Sequence, residues 1–592
     1  MKSEQSLKQR GAFGQGSGFR APCLSGAAGL LALLVSGPAI AADYYVAPTG
    51  SDSATGSLAA PFKSLQKGHD VAVAGDTVWL RGGTYKPTAQ IKLSKSGQSD
   101  AQRIKFFAYQ SEVPVIDFSG YVSTNPAVDT PALLVTGNWL HLKGLEIAHV
   151  PVGASGAHSI STVRSEGASN NTFELLNIHD GFGPGLFISK GTGGNLLLNC
   201  DSHDNYDKDG SQGDGQNADG FGVHYQATGP STIVRGCRAW LNSDDGYDLI
   251  SQEVPVHIEG SWAVQNGFSN GGAGKPSSGN GNGFKAGSSE TGIRHILQNN
   301  VAWKNRAAGF YANHSTGGNT WLNNTSYMNA VQYNLLASPA GDPNTTITLS
   351  GALAHKMRNN VGFPNKNTNM TGVDSASNTW DLNIAEASTD FVSTSDAGFD
   401  GPRQADGSMP ALGFLKLRAG SPLIDKGTDV GLPFVGAAPD LGAYEYGAVA
   451  ASGAGGASAG GAPAGGAASA SAGAGGLGTS SAGTAGARMS AGGASGGLPG
   501  SAGGSLGTGT GGFAGPGGAG PSSAGSLTGG GGAPSPAGTT AGSTNSAEPT
   551  ASDAAKGCAC RVSSPATRGP SALWLAVTAV GLLVVRRRRG SH

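Results

Sequence analysis

The feature that most constrains the fold of this chain is a repeat. Three short segments align on a Gly-aromatic pair: Ala218-Asp219-Gly220-Phe221-Gly222, Ser243-Asp244-Asp245-Gly246-Tyr247-Asp248 and Gly281-Asn282-Gly283-Phe284-Lys285. A fourth, Ala308-Gly309-Phe310-Tyr311, continues the columns. The aromatics are spaced by 26, 37 and 26 residues. A fixed period of about 25 residues with one insertion marks a solenoid. A second column consists of Asn205, Asn242, Asn266, Asn305 and Asn329, at intervals of 37, 24, 39 and 24. Two residues earlier stand His203, Trp240, Val264, Trp303 and Tyr327. The long intervals hold an Asp/Gly-rich loop around 204–217 and a Gly/Ser-rich loop around 267–281. Insertions on one side of a solenoid usually build its binding face. The asparagines are expected to stack their amides as a structural ladder in a turn.

If each repeat is one coil of a parallel β-solenoid, equivalent positions stack about 4.8 Å apart. Asp219 then lies one coil from Asp245, and Asp248 one coil from Lys285. Four carboxylates, Asp219, Asp244, Asp245 and Asp248, converge with Lys285 beside them. Clustered carboxylates repel unless a cation neutralises them, and hard oxygen donors favour Ca²⁺. The competing reading is that Asp-Gly pairs are common turn formers. Any one pair alone is more simply a turn; four aspartates aligned across two coils favour the metal. The loop Asn205-Tyr206-Asp207-Lys208-Asp209-Gly210 only partly mimics a calcium loop, since it starts with Asn and has Gln216 at its twelfth position.

The expected fold class is all-β, a single-stranded right-handed parallel β-helix with an N-terminal cap and a Gly/Ala/Ser-rich stalk. Residues 43–90 read as strand, short helix and strand, which suits a cap over the open end of a solenoid. Alternating runs such as Ile104-Lys105-Phe106-Phe107 and Leu140-His141-Leu142-Lys143 fit strands facing a narrow core. Met357-Arg358-Asn359-Asn360-Val361 is the last repeat-like segment, and irregular sequence follows to Tyr446. The expected divisions are 1–42 signal peptide, 43–103 cap and first coils, 104–447 β-helix, 448–550 low-complexity linker and 551–592 terminal signal.

Both ends carry targeting features. Lys2, Lys8, Arg10 and Arg20 precede an apolar run from Leu24 to Val35 and Pro38-Ala39-Ile40-Ala41-Ala42, the pattern of a secretory signal. Residues 448–550 are almost wholly Gly, Ala, Ser, Thr and Pro and cannot bury a core. Beyond them lie Gly557-Cys558-Ala559-Cys560-Arg561, an apolar run from Ser571 to Val585 that is short for a transmembrane span, and Arg586-Arg587-Arg588-Arg589. Charged residues make up 13% of the chain and the net charge is −1, so no basic field for nucleic acid exists. Cys200 and Cys237 occupy matching repeat positions, as buried free thiols or as a bridge, the thiols being the simpler reading.

The three aligned motifs resemble those of the family 9 polysaccharide lyases, right-handed parallel β-helix pectate lyases. The resemblance spans about 43–446 and is densest at 171–336. It implies that Asp219, Asp244, Asp245 and Asp248 bind Ca²⁺ and that Lys285 is the proton-abstracting base. The implied partner is polygalacturonate, pectin or a related uronan, cleaved by β-elimination, and the expected assembly is a monomer. The C-terminal segment resembles the myxobacterial sorting signal, which implies a sorting protease and display of a secreted enzyme on the cell surface; the plain alternative is a tail anchor. Lys190, His224, Arg235 and Arg294 are candidates to grip uronate carboxylates. The rival functions are a β-helix glycoside hydrolase, which needs a paired acid and nucleophile or base, and a non-catalytic glycan-binding adhesin.

Overall fold

The computed structural model describes residues 41–448 except 269–275, 288–292, 340–341, 343 and 365–367. The expected signal segment through residue 40, the linker, the Cys558/Cys560 motif and the terminal apolar run lie outside the described residues. Among the described residues, no helix is long and apolar enough to cross a membrane.

Short parallel strands stack into three sheets, one of 12 strands and two of 10. Successive strands of a coil belong to different sheets and equivalent strands of successive coils pair, which is a right-handed parallel β-helix. The alternation of apolar and polar residues makes this arrangement, because every second side chain points inward. In the 12-stranded sheet the inward column runs Phe106, Leu142, Phe173, Leu197, Val234, Ile258, Leu297, Trp321 and Met357, neighbours in register and all buried. Each such burial contributes about 1.5–3 kcal/mol.

One 10-stranded sheet carries the repeat's aromatics. Phe221 pairs with Tyr247, Tyr247 with Phe284, and Phe284 with Phe310. Their rings stack at centroid distances of 5.2, 4.6 and 5.1 Å. The register is the one the Gly-aromatic alignment gives. The asparagine column is also a ladder. Asn205 Nδ2 donates to Asn242 Oδ1 (2.8 Å), Asn242 to Asn266 (3.0 Å), Asn266 to Asn305 (2.9 Å) and Asn305 to Asn329 (2.9 Å).

The sequence reading missed a second ladder at another corner of the coil. There Asn300, Asn324, Asn360 and Asn378 join by side-chain amide bonds of 3.1, 3.0 and 2.8 Å. In earlier coils the same corner holds Cys200, Cys237 and Ser261. The Cys200 N–H donates to Cys237 Sγ (3.3 Å), the Cys237 N–H to Ser261 Oγ (3.2 Å) and the Ser261 N–H to Asn300 Oδ1 (2.9 Å). The two cysteines are therefore free buried thiols that serve as ladder acceptors.

The helix Leu65–Val71 lies in the cap, its N-terminus closed by Ser64 Oγ accepting from the Lys67 N–H at 3.1 Å. At the other end the coils run one turn past the last recognised repeat, to strands Thr368–Met370 and Val373–Ala376. Residues 380–446 then fold back as an irregular strap over the third sheet. Phe391, Phe414, Leu415, Leu417, Leu423 and Leu441 bury the outer column of Trp240, Val264, Trp303 and Tyr327.

Candidate active site

The site is built where the Asn-ladder corner meets the aromatic-bearing sheet. Asp219, Asp244, Asp245 and Asn282 sit in the turn just before the short strands Phe221–His224, Tyr247–Asp248 and Phe284–Lys285. Each strand turns its aromatic inward and the next residue outward. The outward column in register is Arg164, Phe187, Gly222, Asp248, Lys285 and Tyr311.

Carboxylate oxygens of Asp219, Asp244 and Asp245, all buried, lie within 4.8 Å of one another. Backbone donors hold the trio. The Asp245 N–H donates to Asp219 Oδ1 (3.1 Å), the Asn280 N–H to Asp244 Oδ1 (2.5 Å), and the Asn282 N–H and Nδ2 to Asp245 Oδ1 (2.6 and 2.9 Å). Asp248 stands beside this trio rather than within it. Its Oδ2 accepts from Lys285 Nζ at 3.1 Å, and its Oδ1 is buried without a hydrogen bond. Lys285 Nζ also reaches Asp245 Oδ2 at 3.0 Å and Asn280 Oδ1 at 3.2 Å.

Burial, then mutual repulsion, pushes the Asp219 and Asp244 carboxyls well above the ordinary range. Asp245 and Asp248 are also raised by burial, less so because Lys285 opposes it. Burial pulls the Lys285 ammonium down, but Asp245 and Asp248 outweigh it and leave the group well above its usual value. One lysine does not neutralise four buried carboxylates. The all-oxygen donor set and the orphaned Asp248 Oδ1 fit a hard divalent cation such as Ca²⁺.

Both inserted loops fall at this same corner, and they touch: the Ser278 N–H donates to the Asp214 carbonyl at 3.0 Å. The second loop delivers Asn280 against both Asp244 and Lys285, a role its position in the Asn-Gly-Asn-Gly run did not reveal. In the first loop, Asp214 gathers local donors. Tyr206 Oη and the Asp209 N–H both donate to Asp214 Oδ1 (2.6 and 3.1 Å), while Asp207 is buried and its carboxyl is pushed up to about 7 by burial.

The four candidate grips separate. His224 Nε2 is 3.6 Å from Asp248 Oδ2, and burial followed by the Lys285 charge pushes its imidazole down to about 3, so it is neutral at the site. Lys190 is exposed and paired with Glu166 at 2.8 Å. Arg235 lies on the 12-stranded sheet, paired with Glu259, and Arg294 donates to the carbonyls of Gly318 and Ala354 (2.6 and 2.7 Å). Arg164, which the sequence did not single out, heads the outward column, its guanidinium 5.1 Å from the Phe187 ring and paired with Asp129 at 2.9 Å. Its place in this column is set by the register of the coils alone.

Comparison with known proteins shows the family to which this fold belongs. A family profile described as "Pel9A-like, right handed beta helix region" matches residues 44–360. Pectate lyase L of Dickeya dadantii is 35% identical over 421 residues, 70% of this chain and 92% of that protein. Pectate lyase PEL9 of Emericella nidulans is 33% identical over 64% of this chain and 92% of that protein. Among solved structures, pectate lyase Pel9A superposes with a TM-score of 0.59 at 33% identity, covering 68% of this chain and 96% of its own. A rhamnogalacturonan lyase gives 0.58 at 31%, covering 64% and 96%.

Proposed function

Since this chain belongs to the Pel9A-like right-handed β-helix family and is an enzyme of the pectate lyase class, we propose that it cleaves polygalacturonate by calcium-dependent β-elimination, with Lys285 as the base. The observation that carries this reading is the adjacency of Lys285 Nζ to Asp245 and Asp248, at 3.0 and 3.1 Å, beside a buried acidic trio. Asp219, Asp244, Asp245 and Asp248 would hold Ca²⁺, which supplies Lewis-acid neutralisation of the substrate carboxylate and of the charge that develops beside it.

The chain's own residues do the rest. Lys285 projects outward from its strand, and Asn280 Oδ1 fixes the direction of its amine. Once deprotonated, Nζ takes the C5 proton of the uronate. The C5–H electron pair becomes the C4=C5 double bond as the bond from C4 to the glycosidic oxygen breaks, and that oxygen leaves with a proton from solvent. Gly222, directly beside Asp248 in the outward column, lies under the edge of the Phe187 ring, which offers an apolar face next to the acidic site, and Arg164 adds a cation two coils from Gly222.

The test is turnover of polygalacturonate, followed by ultraviolet absorbance of the unsaturated product. Lys285→Ala is expected to lose roughly 10²–10⁴-fold in rate while retaining Ca²⁺ binding by calorimetry, and EDTA is expected to abolish turnover of the native enzyme. Normal turnover in Lys285→Ala removes the base assignment. Cleavage without an unsaturated product points to hydrolysis, and calcium binding with no product at all to an adhesin. Turnover of rhamnogalacturonan in preference to polygalacturonate keeps the elimination but overturns the substrate.

The N-terminal signal and the Cys558/Cys560 segment support export and surface display of a monomeric enzyme after processing by a sorting protease. Mass spectrometry of the cell-associated protein should find a C-terminus near those cysteines; a retained arginine tail would sink that part of the reading.

A further inference from the structure

On the third sheet, away from the acidic trio's sheet, three consecutive coils place histidines and carboxylates together. Glu146 and Asn177 are in register, as are Ala148, His179 and His203. His149 and Asp180 follow directly, both in the left-handed region (φ 62° and 52°), which turns their side chains out at the coil corner. We propose that His149, His179 and Asp180 form a binding site for a borderline divalent cation of the Zn²⁺ type, independent of the calcium reading above.

Two observations carry this. First, ligand atoms of the three residues lie within 4.8 Å of one another. His179 Nδ1 is 2.8 Å and His149 Nε2 3.9 Å from the same oxygen, Asp180 Oδ2. Second, the remaining nitrogen of each imidazole faces a carboxylate. His149 Nδ1 is 3.3 Å from Asp117 Oδ1, and His179 Nε2 is 3.5 Å from Glu146 Oε1. Histidines that bind metals characteristically donate their other N–H to a carboxylate, which fixes tautomer and ring orientation. Here His149 Nδ1 is hydrogen-bonded to Asp117 and His179 Nε2 lies at ion-pair distance from Glu146, in different coils, and the opposite nitrogens converge on Asp180 Oδ2, where a metal would displace the proton His179 Nδ1 now shares with that carboxylate.

The rings are also held in place. His179 stacks on His203 at 4.8 Å and 11°, and His203 on Trp240 at 4.0 Å and 7°. Asp117 is fixed by the Ser119 N–H at 2.9 Å. Two imidazoles with one carboxylate select Zn²⁺, Co²⁺ or Ni²⁺ over Ca²⁺ or Mg²⁺, which take oxygen sets. Three protein ligands leave a fourth position for water. His149 has 49% and Asp180 40% of its side chain exposed, so an ion enters from solvent without unfolding the coil. Bound there, it ties one coil to the next just before the corner where the Asn205 ladder begins, with Asn205 Oδ1 accepting from the Gly181 N–H at 3.0 Å.

The experiment is calorimetric titration of the full chain, stripped with EDTA and dialysed, with ZnCl₂ and separately with Co²⁺ followed by visible absorption. The native protein and Asp244→Asn are both expected to show one specific event, with a rise in melting temperature that persists when Ca²⁺ is already present in excess. His179→Gln and His149→Asn should lose the event, and Asp117→Asn should weaken it roughly 10–100-fold. Asn tolerates the left-handed backbone at 149, so that variant keeps the test valid should His179→Gln fold poorly. Equal affinity in these variants, no event in the native protein, or a Co²⁺ spectrum dominated by thiolate charge transfer from the cysteines would overturn the proposal and leave a plain histidine–carboxylate charge network.

Discussion

A Cβ added to Gly220 would lie 2.7 Å from the Gly246 carbonyl oxygen and 2.8 Å from Asn242 Nδ2, and one added to Gly246 would meet Gly283 and Asn266 in the same way. The glycine of the Asp-Gly-aromatic motif is thus demanded by close packing on the Asn ladder, not by turn geometry. The aspartate before it has the opposite effect on stability. Asp219 and Asp244 have folded-state values raised by burial and repulsion, so the folded form binds more protons than the unfolded one above the ordinary carboxylate range. Stability of the metal-free protein should therefore rise as pH falls from neutral toward that range. Melting curves in EDTA should show this slope, and Asp244→Asn or saturating Ca²⁺ should flatten it. For activity the sign is reversed. Lys285 works only as free amine, and its carboxylate neighbours hold its proton on, so rate should climb toward alkaline pH; a profile peaking below about 6 contradicts a lysine base.

The coil corners show how elements are kept in register. Asn266 accepts from both the N–H and Nδ2 of Asn242 (3.2 and 3.0 Å) and donates to the Ala239 carbonyl (3.2 Å) and Asn305 Oδ1 (2.9 Å), all buried. Asn266→Ala orphans several of these groups at once and should cost about 1–3 kcal/mol, read as a fall in the denaturant midpoint. The sequence displayed this ladder because its members are identical at every coil. It hid the second ladder, since Cys200, Cys237 and Ser261 fill the same role as Asn300 with different chemistry.

At the scale of the whole body, the strap over the third sheet is fastened by one buried ionic knot. Asp201 accepts from Arg238 at 2.7 Å on both oxygens and from Arg403, 202 residues away, at 2.6 and 3.1 Å. Burial raises the Asp201 carboxyl, but the Arg238 bond and the Arg403 charge outweigh it and hold it below its usual value. Its contribution is present above the ordinary carboxylate pKa and is lost as pH falls through the folded value. Asp201→Ala leaves two buried guanidinium groups facing each other and should destabilise by about 3–5 kcal/mol, measured by chemical denaturation at neutral pH. The deficit should shrink in acid, where the native carboxyl is also neutral.

Periodicity by itself determined the solenoid, the stacking partners of each aromatic and the meeting of Asp219, Asp244 and Asp245 with Lys285, because a coil of fixed length converts sequence spacing directly into adjacency. Tertiary structure alone decided what does not repeat. Asn280 is brought in by a loop of irregular length, Arg235 and Arg294 turn to other partners, and the strap finds Asp201 across the fold. Such contacts depend on side-chain direction and on the path of non-periodic chain, neither of which a spacing encodes.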